Sequence, residues 1–114
     1  MEAQAREVQN YITPTGKSPF EEWLNSLQDI TARAKIRSRL KRVESGNLGN
    51  YRAVGEGVCE LKIDYGPGYR IYFGQIGSKI ILLLCGGDKS TQDQDILTAK
   101  EYWRDYDRSE NSNS

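Results

Sequence analysis

The amino-acid sequence predicts a single α+β domain, in which a helical hairpin and a C-terminal helix accompany a mostly antiparallel sheet. Three strand-like runs between residues 58 and 85 are joined by glycine-bearing turns, and helical apolar spacing occurs on both sides of them. A short β-prone segment precedes the first helix. The expected order is therefore β-α-α-β-β-β-α, which is that of a compact α+β domain.

The N-terminal half begins with an expected edge strand over residues 8–13. The first helix is predicted to begin at Ser18-Pro19, because serine is a favoured cap, proline suits the first helical position, and Glu21 completes a capping box. Apolar residues at helical spacing mark its buried face: Phe20, Trp23, Leu24 and Leu27. The predicted helix therefore has residues that favour its N-terminus and an apolar face that can pack against the core.

A second helix is predicted from the cap Thr31 to the region of Gly46, and it should pack antiparallel to the first because almost nothing joins them. Its buried line consists of Ile36, Leu40 and Val43. Six cations and no acid occur in residues 31–43: Arg33, Lys35, Arg37, Arg39, Lys41 and Arg42. This basic surface is either solvated or directed at phosphates, and the residues alone leave both interpretations open.

The predicted sheet follows an exposed glycine-rich loop, Gly46–Gly57, in which Tyr51 and Arg52 are the contact residues. Val58–Tyr65 and Tyr69–Phe73 alternate apolar and polar residues, and Gly66-Pro67-Gly68 provides the turn between them. The third run is apolar throughout and should be covered on both faces; it comprises residues 80–85.

A three-residue turn sets a definite register for the first two of these strands. It places Asp64 opposite Arg70 and Lys62 opposite Tyr72, so that one patch of the sheet is polar. The patch consists of Glu60, Lys62, Asp64, Arg70 and Tyr72. It is either a solvated face with an Asp64–Arg70 pair or a functional site.

The last helix is predicted to begin near Ser90, with Asp93 approximating a capping box. Its inward line consists of Ile96, Ala99, Trp103 and Tyr106. The domain is expected to span residues 1–108, and the polar tail, residues 109–114, is expected to be disordered.

Composition limits the chemistry more than the partners. The 114 residues carry 16 basic and 16 acidic side chains, so the net charge favours no partner. Histidine is absent, which excludes imidazole bases, triads and metal ligands. Neither a secretory signal nor a membrane-spanning run is recognisable, and Cys59 and Cys85 are interpreted as buried thiols in a cytoplasmic protein.

Four segments that follow the basic hairpin carry a family resemblance: Glu60–Ile63, Gly66–Tyr72, Leu83–Ser90 and Asp95-Ile96. In this order they resemble the RelE/ParE superfamily of toxins from bacterial type II toxin–antitoxin modules. The likeness is strongest to its HigB-like, phage-related addiction module killer branch, and it extends from residue 8 to residue 106. The resemblance implies a RelE-like fold.

The resemblance also implies an endoribonuclease that cuts mRNA in the ribosomal A site without a metal or other cofactor. The 2′-hydroxyl attacks the adjacent phosphate and leaves a 2′,3′-cyclic phosphate and a 5′-hydroxyl. By position, Arg70 matches the arginine that contacts the scissile phosphate, Lys62 matches a lysine of the preceding strand, and Lys89 matches a basic position after the last strand. The candidate RNA-binding residues are Arg37, Arg39, Lys41, Arg42, Tyr51, Arg52 and Tyr72.

Two positions depart from the family pattern. Glu60 occupies a position that is often a second lysine, and Asp95 occupies the position where RelE has a catalytic tyrosine. Lysine has an ordinary pKa of about 10.4 and is a poor base at pH 7. The general base is therefore left open between Lys62 and the carboxylates of Glu60 and Asp64.

Two alternative functions use the same fold. One is a ParE-type toxin that inhibits DNA gyrase by protein contact and needs no cluster of cations on the sheet. The other is a module that binds its antitoxin without cleaving RNA. All three functions predict a helix-turn-helix antitoxin as partner, with DNA contacted only through that complex, and the nuclease also predicts binding to the 70S ribosome.

Overall fold

A computed structural model describes residues 5–112 of the chain, and these form one five-stranded sheet with three α-helices. The elements are β1 Glu7–Asn10, α1 Pro19–Ser26, α2 Ile30–Glu44, β2 Tyr51–Gly55, β3 Val58–Ile63, β4 Tyr69–Ile76, β5 Ile80–Gly87 and α3 Gln92–Ser112. The strand order is β1-β5-β4-β3-β2, with β1 parallel to β5 and all other neighbours antiparallel. The α+β class is confirmed, and the observed order is β-α-α-β-β-β-β-α.

The additional strand, β2, lies inside the segment expected to be an exposed loop. It pairs with β3 at the edge of the sheet, with Tyr51 opposite Leu61. The turn between the two strands, Gly55–Gly57, has positive φ at all three residues, including 55° at Glu56. The loop prediction was wrong because these glycines form a tight turn that folds β2 back onto β3.

The register of the β3–β4 hairpin also differs from the expectation. Lys62 lies opposite Arg70, and Glu60 lies opposite Tyr72. The chain leaves the ladder at Asp64, and Gly68 closes a turn by donating from its backbone N–H to the carbonyl of Tyr65, 3.1 Å away. The connection therefore has five residues rather than three. Since the slip is two residues, every side chain keeps its predicted face.

Each helix begins near the expected residue, but the caps of α2 and of the turn before α3 differ from the predicted ones. Asp29, and not Thr31, caps α2 by accepting a hydrogen bond from the backbone N–H of Ala32 at 3.2 Å. Ser18 is the N-cap residue of α1, but its hydroxyl forms no cap hydrogen bond within the described residues. Asp88, and not Ser90, caps the 3₁₀ turn that leads into α3.

The sheet is covered on both faces. Helices α1 and α2 cover one face, where Phe20, Leu24 and Ile36 pack with Leu61 and Phe73. Helix α3 covers the other face and supplies the predicted inward line, Ile96, Ala99, Trp103 and Tyr106. The buried lines predicted for all three helices are thereby confirmed.

One interpretation of the polar patch was a solvated face of the sheet, but most of the patch is buried. Glu60 and Arg70 are only 3% and 6% exposed, and Tyr72 is fully buried. Lys62 and Asp64 remain exposed at the end of the hairpin. The prediction of a solvated face failed because α3 lies over this part of the sheet.

The C-terminal helix is longer than expected, because α3 continues through Ser112 and thus includes residues 109–112 of the predicted disordered tail. Residues 113–114 of that tail lie outside the described residues. Both cysteines are free thiols, with Cys85 buried and Cys59 half-buried. Between residues 5 and 112, no helix has the length and apolar character needed to cross a membrane.

We expect Gly74→Ala to destabilise the protein, because a Cβ at this position of β4 would overlap the ring of Trp103. Overpacking of this kind costs about 1–3 kcal/mol. The effect should be smaller in a Trp103→Leu background, where the ring is gone. Chemical denaturation of the two single variants and the double variant measures this coupling. Strictly additive changes in the free energy of unfolding would show that the two residues do not clash.

Candidate functional site

The three cations predicted to be catalytic line one cleft of about 360 Å³ at the end of the β3–β4 hairpin. Lys62, Arg70 and Lys89 form its basic side, and the connection Asp64–Gly68 forms the remainder. The structure therefore brings together residues from two strands and from the turn that precedes α3. A cleft with this composition is suited to a small anion or a phosphate group.

Strand pairing explains why these cations meet. Arg70 lies opposite Lys62 on one side and opposite Gly87 on the other, so it occupies the middle of three adjacent strands. Lys89 follows two residues after Gly87, in the 3₁₀ turn. Gly68 lies against Arg70 and Lys89, since a Cβ at this glycine would be 3.4 Å from Nη1 of Arg70 and 3.8 Å from Cβ of Lys89.

Arg70 is held more firmly than the two lysines. Its Nη1 donates a hydrogen bond to the carbonyl of Gly68 at 2.8 Å. Its Nε lies 3.7 Å from Oε2 of Glu60, without a hydrogen-bond partner among the described residues. The side chain of Lys62 is 46% exposed, in contrast, and its ammonium group lies 3.5 Å from the exposed carboxylate of Asp64. The cleft thus combines one buried guanidinium with the ammonium groups of two exposed lysines.

Glu60 is the buried acceptor on which this part of the sheet converges. Its carboxylate accepts hydrogen bonds from Nε of Arg52 at 2.9 Å, the hydroxyl of Tyr72 at 3.0 Å and Nε2 of Gln92 at 2.9 Å. Burial raises the pKa of Glu60, but the hydrogen bonds from Arg52, Gln92 and Tyr72 outweigh it and lower the pKa below the ordinary value. Glu60 is therefore charged, and both of its carboxylate oxygens accept hydrogen bonds.

The same network affects Tyr72. Burial, followed by the negative charge of Glu60, raises the pKa of the Tyr72 hydroxyl well above its usual range. This hydroxyl stays protonated and serves as a donor inside the protein. Because the ring is fully buried, Tyr72 does not reach the surface, and the prediction that it contacts RNA is wrong.

Acidic groups balance part of the charge of the cleft. Asp64 lies 3.5 Å from Nζ of Lys62, but this carboxylate is 81% exposed, so the pair is weak. Glu60 is shared between Arg52 and Arg70. Hydrogen bonds from Ser90 lower the pKa of Asp88, and the charge of Arg70 contributes in the same direction. The three cations of the cleft are thus partly balanced by the carboxylates of Asp64, Glu60 and Asp88. Both oxygens of Glu60 are already occupied by hydrogen bonds within the protein.

The other predicted RNA-binding residues are distributed over three surfaces. Arg39 and Arg42 lie on the side of α2 that meets Lys62, whereas Arg37 and Lys41 lie on the side that meets β1. Tyr51 and Arg52 lie on the edge strand β2. None of these residues lines the cleft itself, but Arg39 and Arg42 line a neighbouring pocket that shares Lys62 and Asp64 with it.

Two contributors to the site were not predicted from the sequence. Gln92 supplies one of the three donors to Glu60, and nothing in its sequence context distinguishes it from other polar residues of a helix start. Tyr65 donates from its hydroxyl to Asp29 at 3.0 Å, and Nζ of Lys35 lies 5.2 Å from its ring centroid. Tyr65 also packs against the core on this face of the sheet, and its contacts with Asp29 and Lys35 fix the hairpin end against α2.

The described residues contain no group of three or more His, Cys, Asp or Glu side chains arranged to hold a metal ion. The side chains that line the cleft supply guanidinium, ammonium, carboxylate and phenol hydroxyl groups. Fixed cations of this kind stabilise negative charge that develops on phosphate oxygens.

Sequence comparison finds a relative that covers most of this fold. The chain is 49% identical over 81 residues, 71% of its length, to an uncharacterized protein of Haemophilus influenzae, of which the match covers 82%. The chain belongs to the same family as this Haemophilus influenzae protein. No family model matches the chain.

The charged state of Glu60 should appear in the pH dependence of stability. Because the folded-state pKa is lowered below the ordinary value of 4.5, the stabilisation by Glu60 is complete above pH 4.5 and is lost as the pH falls through the folded-state pKa. Glu60→Gln should therefore cost about 1–3 kcal/mol at pH 7 and less at pH 3. Urea denaturation at both values measures the difference. Equal losses at the two pH values would contradict this account of Glu60.

Proposed function

We propose that this protein is the toxin of a type II toxin–antitoxin module, with a RelE-like fold, and that it cuts mRNA bound to the ribosome. The observation that carries the proposal is that Lys62, Arg70 and Lys89 line a single cleft. The sequence resemblance assigned these positions to phosphate chemistry. A non-nucleolytic gyrase inhibitor would have no need of this cluster.

The proposed reaction is an in-line transfer within the RNA strand. The 2′-oxygen loses its proton and bonds to the adjacent phosphorus while the bond from phosphorus to the 5′-oxygen breaks. The departing 5′-oxygen takes up a proton from solvent, so the products are a 2′,3′-cyclic phosphate and a 5′-hydroxyl. Negative charge gathers on the non-bridging oxygens, where Arg70 and the ammonium groups of Lys62 and Lys89 stabilise it. The guanidinium needs little reorganisation because Gly68 already holds it.

The buried network restricts which group takes the proton from the 2′-hydroxyl. Glu60 is an unsuitable base, since both of its oxygens already accept hydrogen bonds. Asp64 is exposed and lines the cleft, 3.5 Å from Nζ of Lys62. Asp64 therefore accepts the proton in our proposal, and Lys62 beside it stabilises the negative charge that develops on the phosphate oxygens. This choice resolves the alternatives left open by the sequence in favour of a solvent-accessible carboxylate.

The proposed partners follow from the reaction. The substrate is mRNA in the A site of the 70S ribosome, which places the protein in the cytoplasm. A helix-turn-helix antitoxin neutralises the toxin, and DNA is contacted only through that complex. No cofactor takes part in the proposed chemistry.

A second candidate function is that of an antitoxin-binding module without nuclease activity. Glu60 favours it, because this carboxylate replaces a lysine of the family pattern and lies 3.7 Å from Nε of Arg70. Ribosome binding without RNA cleavage would support this second function.

Cleavage should depend on the exposed cations of the cleft. We expect Lys62→Met and Lys89→Met each to slow cleavage of ribosome-bound mRNA by about 10²-fold, because each removes a charge that stabilises the transition state. Lys79→Met is the matched control, since Lys79 is an exposed lysine outside the cleft. Single-turnover assays with purified 70S ribosomes measure the rates, and end analysis identifies the cyclic phosphate.

Arg70→Lys provides a stricter test of geometry, because it keeps the charge and removes the planar donor set. We expect this variant to fold and to cut slowly. Intact mRNA in the presence of wild-type protein and ribosomes would contradict the nuclease. Equal loss of activity in the Lys79→Met control would show that the effect is not specific to the cleft.

A further inference from the structure

A second cationic pocket, of about 290 Å³, lies between α2 and the end of β3. Four of its lining side chains are cations, and only one is an acid. These charged residues are Lys35, Arg39, Arg42, Lys62 and Asp64. The hydroxyl of Ser38 adds a neutral donor. We call this group of residues the α2 pocket.

Arg39 distinguishes the α2 pocket from an ordinary basic surface. Its side chain is buried, with only 6% of the residue exposed. Its Nη2 donates to the carbonyl of Asn50 at 3.2 Å, whereas its Nη1 is buried and has no hydrogen-bond partner within residues 5–112. A Cβ at Gly49 would overlap the guanidinium, so the backbone there holds it in place.

A buried guanidinium with an unpaired N–H is costly unless an anion satisfies it. Among the described residues, no carboxylate forms an ion pair with Arg39. Burial lowers the pKa of Arg39, and the neighbouring charge of Arg42 lowers it further. Both effects would be relieved by an external anion. Arg39 therefore has an N–H that can still donate a hydrogen bond to a partner from outside the described residues, and it is not neutralised by an ion pair within them.

The α2 pocket adjoins the cleft. Lys62 and Asp64 line both, so the two are continuous along the end of β3. Lys35 connects the two in a second way, because its ammonium group lies 5.2 Å from the ring centroid of Tyr65, a residue of the cleft. A polymer with regularly spaced phosphates fits two neighbouring cationic sites better than a single small anion does.

We propose that the α2 pocket binds a backbone phosphate of the same RNA strand whose neighbouring phosphate occupies the cleft. The proposal deepens the proposed function, on which it rests for the identity of the ligand. It also assigns RNA contact to one side of α2 only. The opposite side, with Arg37 and Lys41, lies outside this path.

The helix offers a matched pair of variants for the test. Lys35→Ala/Arg42→Ala removes two cations from the pocket, and Arg37→Ala/Lys41→Ala removes two from the opposite side of the same helix. All four residues are exposed, so both double variants should fold. The probe is a fully 2′-O-methylated single-stranded RNA, which cannot be cleaved, and fluorescence anisotropy measures its Kd over a range of KCl concentrations.

The pocket variant should bind at least tenfold more weakly than wild type, and the slope of log K against log salt should fall in magnitude by about 1.4, which is 0.7 for each cation removed. The control variant should keep the wild-type slope. Inorganic phosphate should raise the Tm of the wild-type protein, and a folded Arg39→Met variant should lose this increase. The double variants decide the matter whether or not Arg39→Met folds.

Equal losses of affinity in the two double variants, or no loss in either, would overturn the proposal. A selective loss in the pocket variant supports the pocket even if ribosome-bound mRNA is left intact by the wild-type protein. That combination would reject the nuclease and keep the RNA-binding site. Cleavage by wild type together with unselective binding would do the reverse.

Discussion

The buried carboxylate of Glu60 is the constraint around which the sheet, α3 and the cleft are arranged. It receives donors from three elements: Arg52 of β2, Tyr72 of β4 and Gln92 of α3. A charged group at this depth requires such partners, and leaving one of its hydrogen bonds unmade costs about 1–3 kcal/mol. The network therefore fixes how α3 lies on the sheet and how the edge strand is attached.

The same carboxylate affects the chemistry at the end of the hairpin. It lies 3.7 Å from Nε of Arg70, and it makes no hydrogen bond to that nitrogen. The distal part of the guanidinium is instead oriented by the carbonyl of Gly68. Arg70 is thus attracted to the protein on its inner side and held toward the cleft on its outer side. A rigid cation in the wall of the cleft is what stabilisation of a phosphate transition state requires.

Much of this architecture was predictable, because the spacing of apolar residues along the chain indicates which face of a strand or helix is buried. The alternation at Val58–Tyr65 identified the correct faces of β3, and the helical spacing identified Trp103 as an inward residue. The register was not predictable, since it depends on the backbone turn at Gly68, and a slip of two residues leaves the alternation unchanged. The strand β2 was missed because Gly55 and Gly57 resemble loop residues until their turn is seen.

The cleft was predictable in part and for a different reason. The resemblance assigned Lys62, Arg70 and Lys89 together, and the structure places them in one cleft. The sequence showed that α2 is basic, but it did not show that Arg39 is buried under Gly49. Long-range packing of this kind, like the donor from Gln92 to Glu60, leaves no local pattern in the chain.

The most direct measurement is a crystal structure of the protein with a short RNA whose 2′-hydroxyls are methylated. Our account predicts a phosphate in the cleft, with its non-bridging oxygens within hydrogen-bond distance of Arg70 and of at least one of Lys62 and Lys89. A strand bound only elsewhere on the protein, with no phosphate in contact with Arg70, would contradict it.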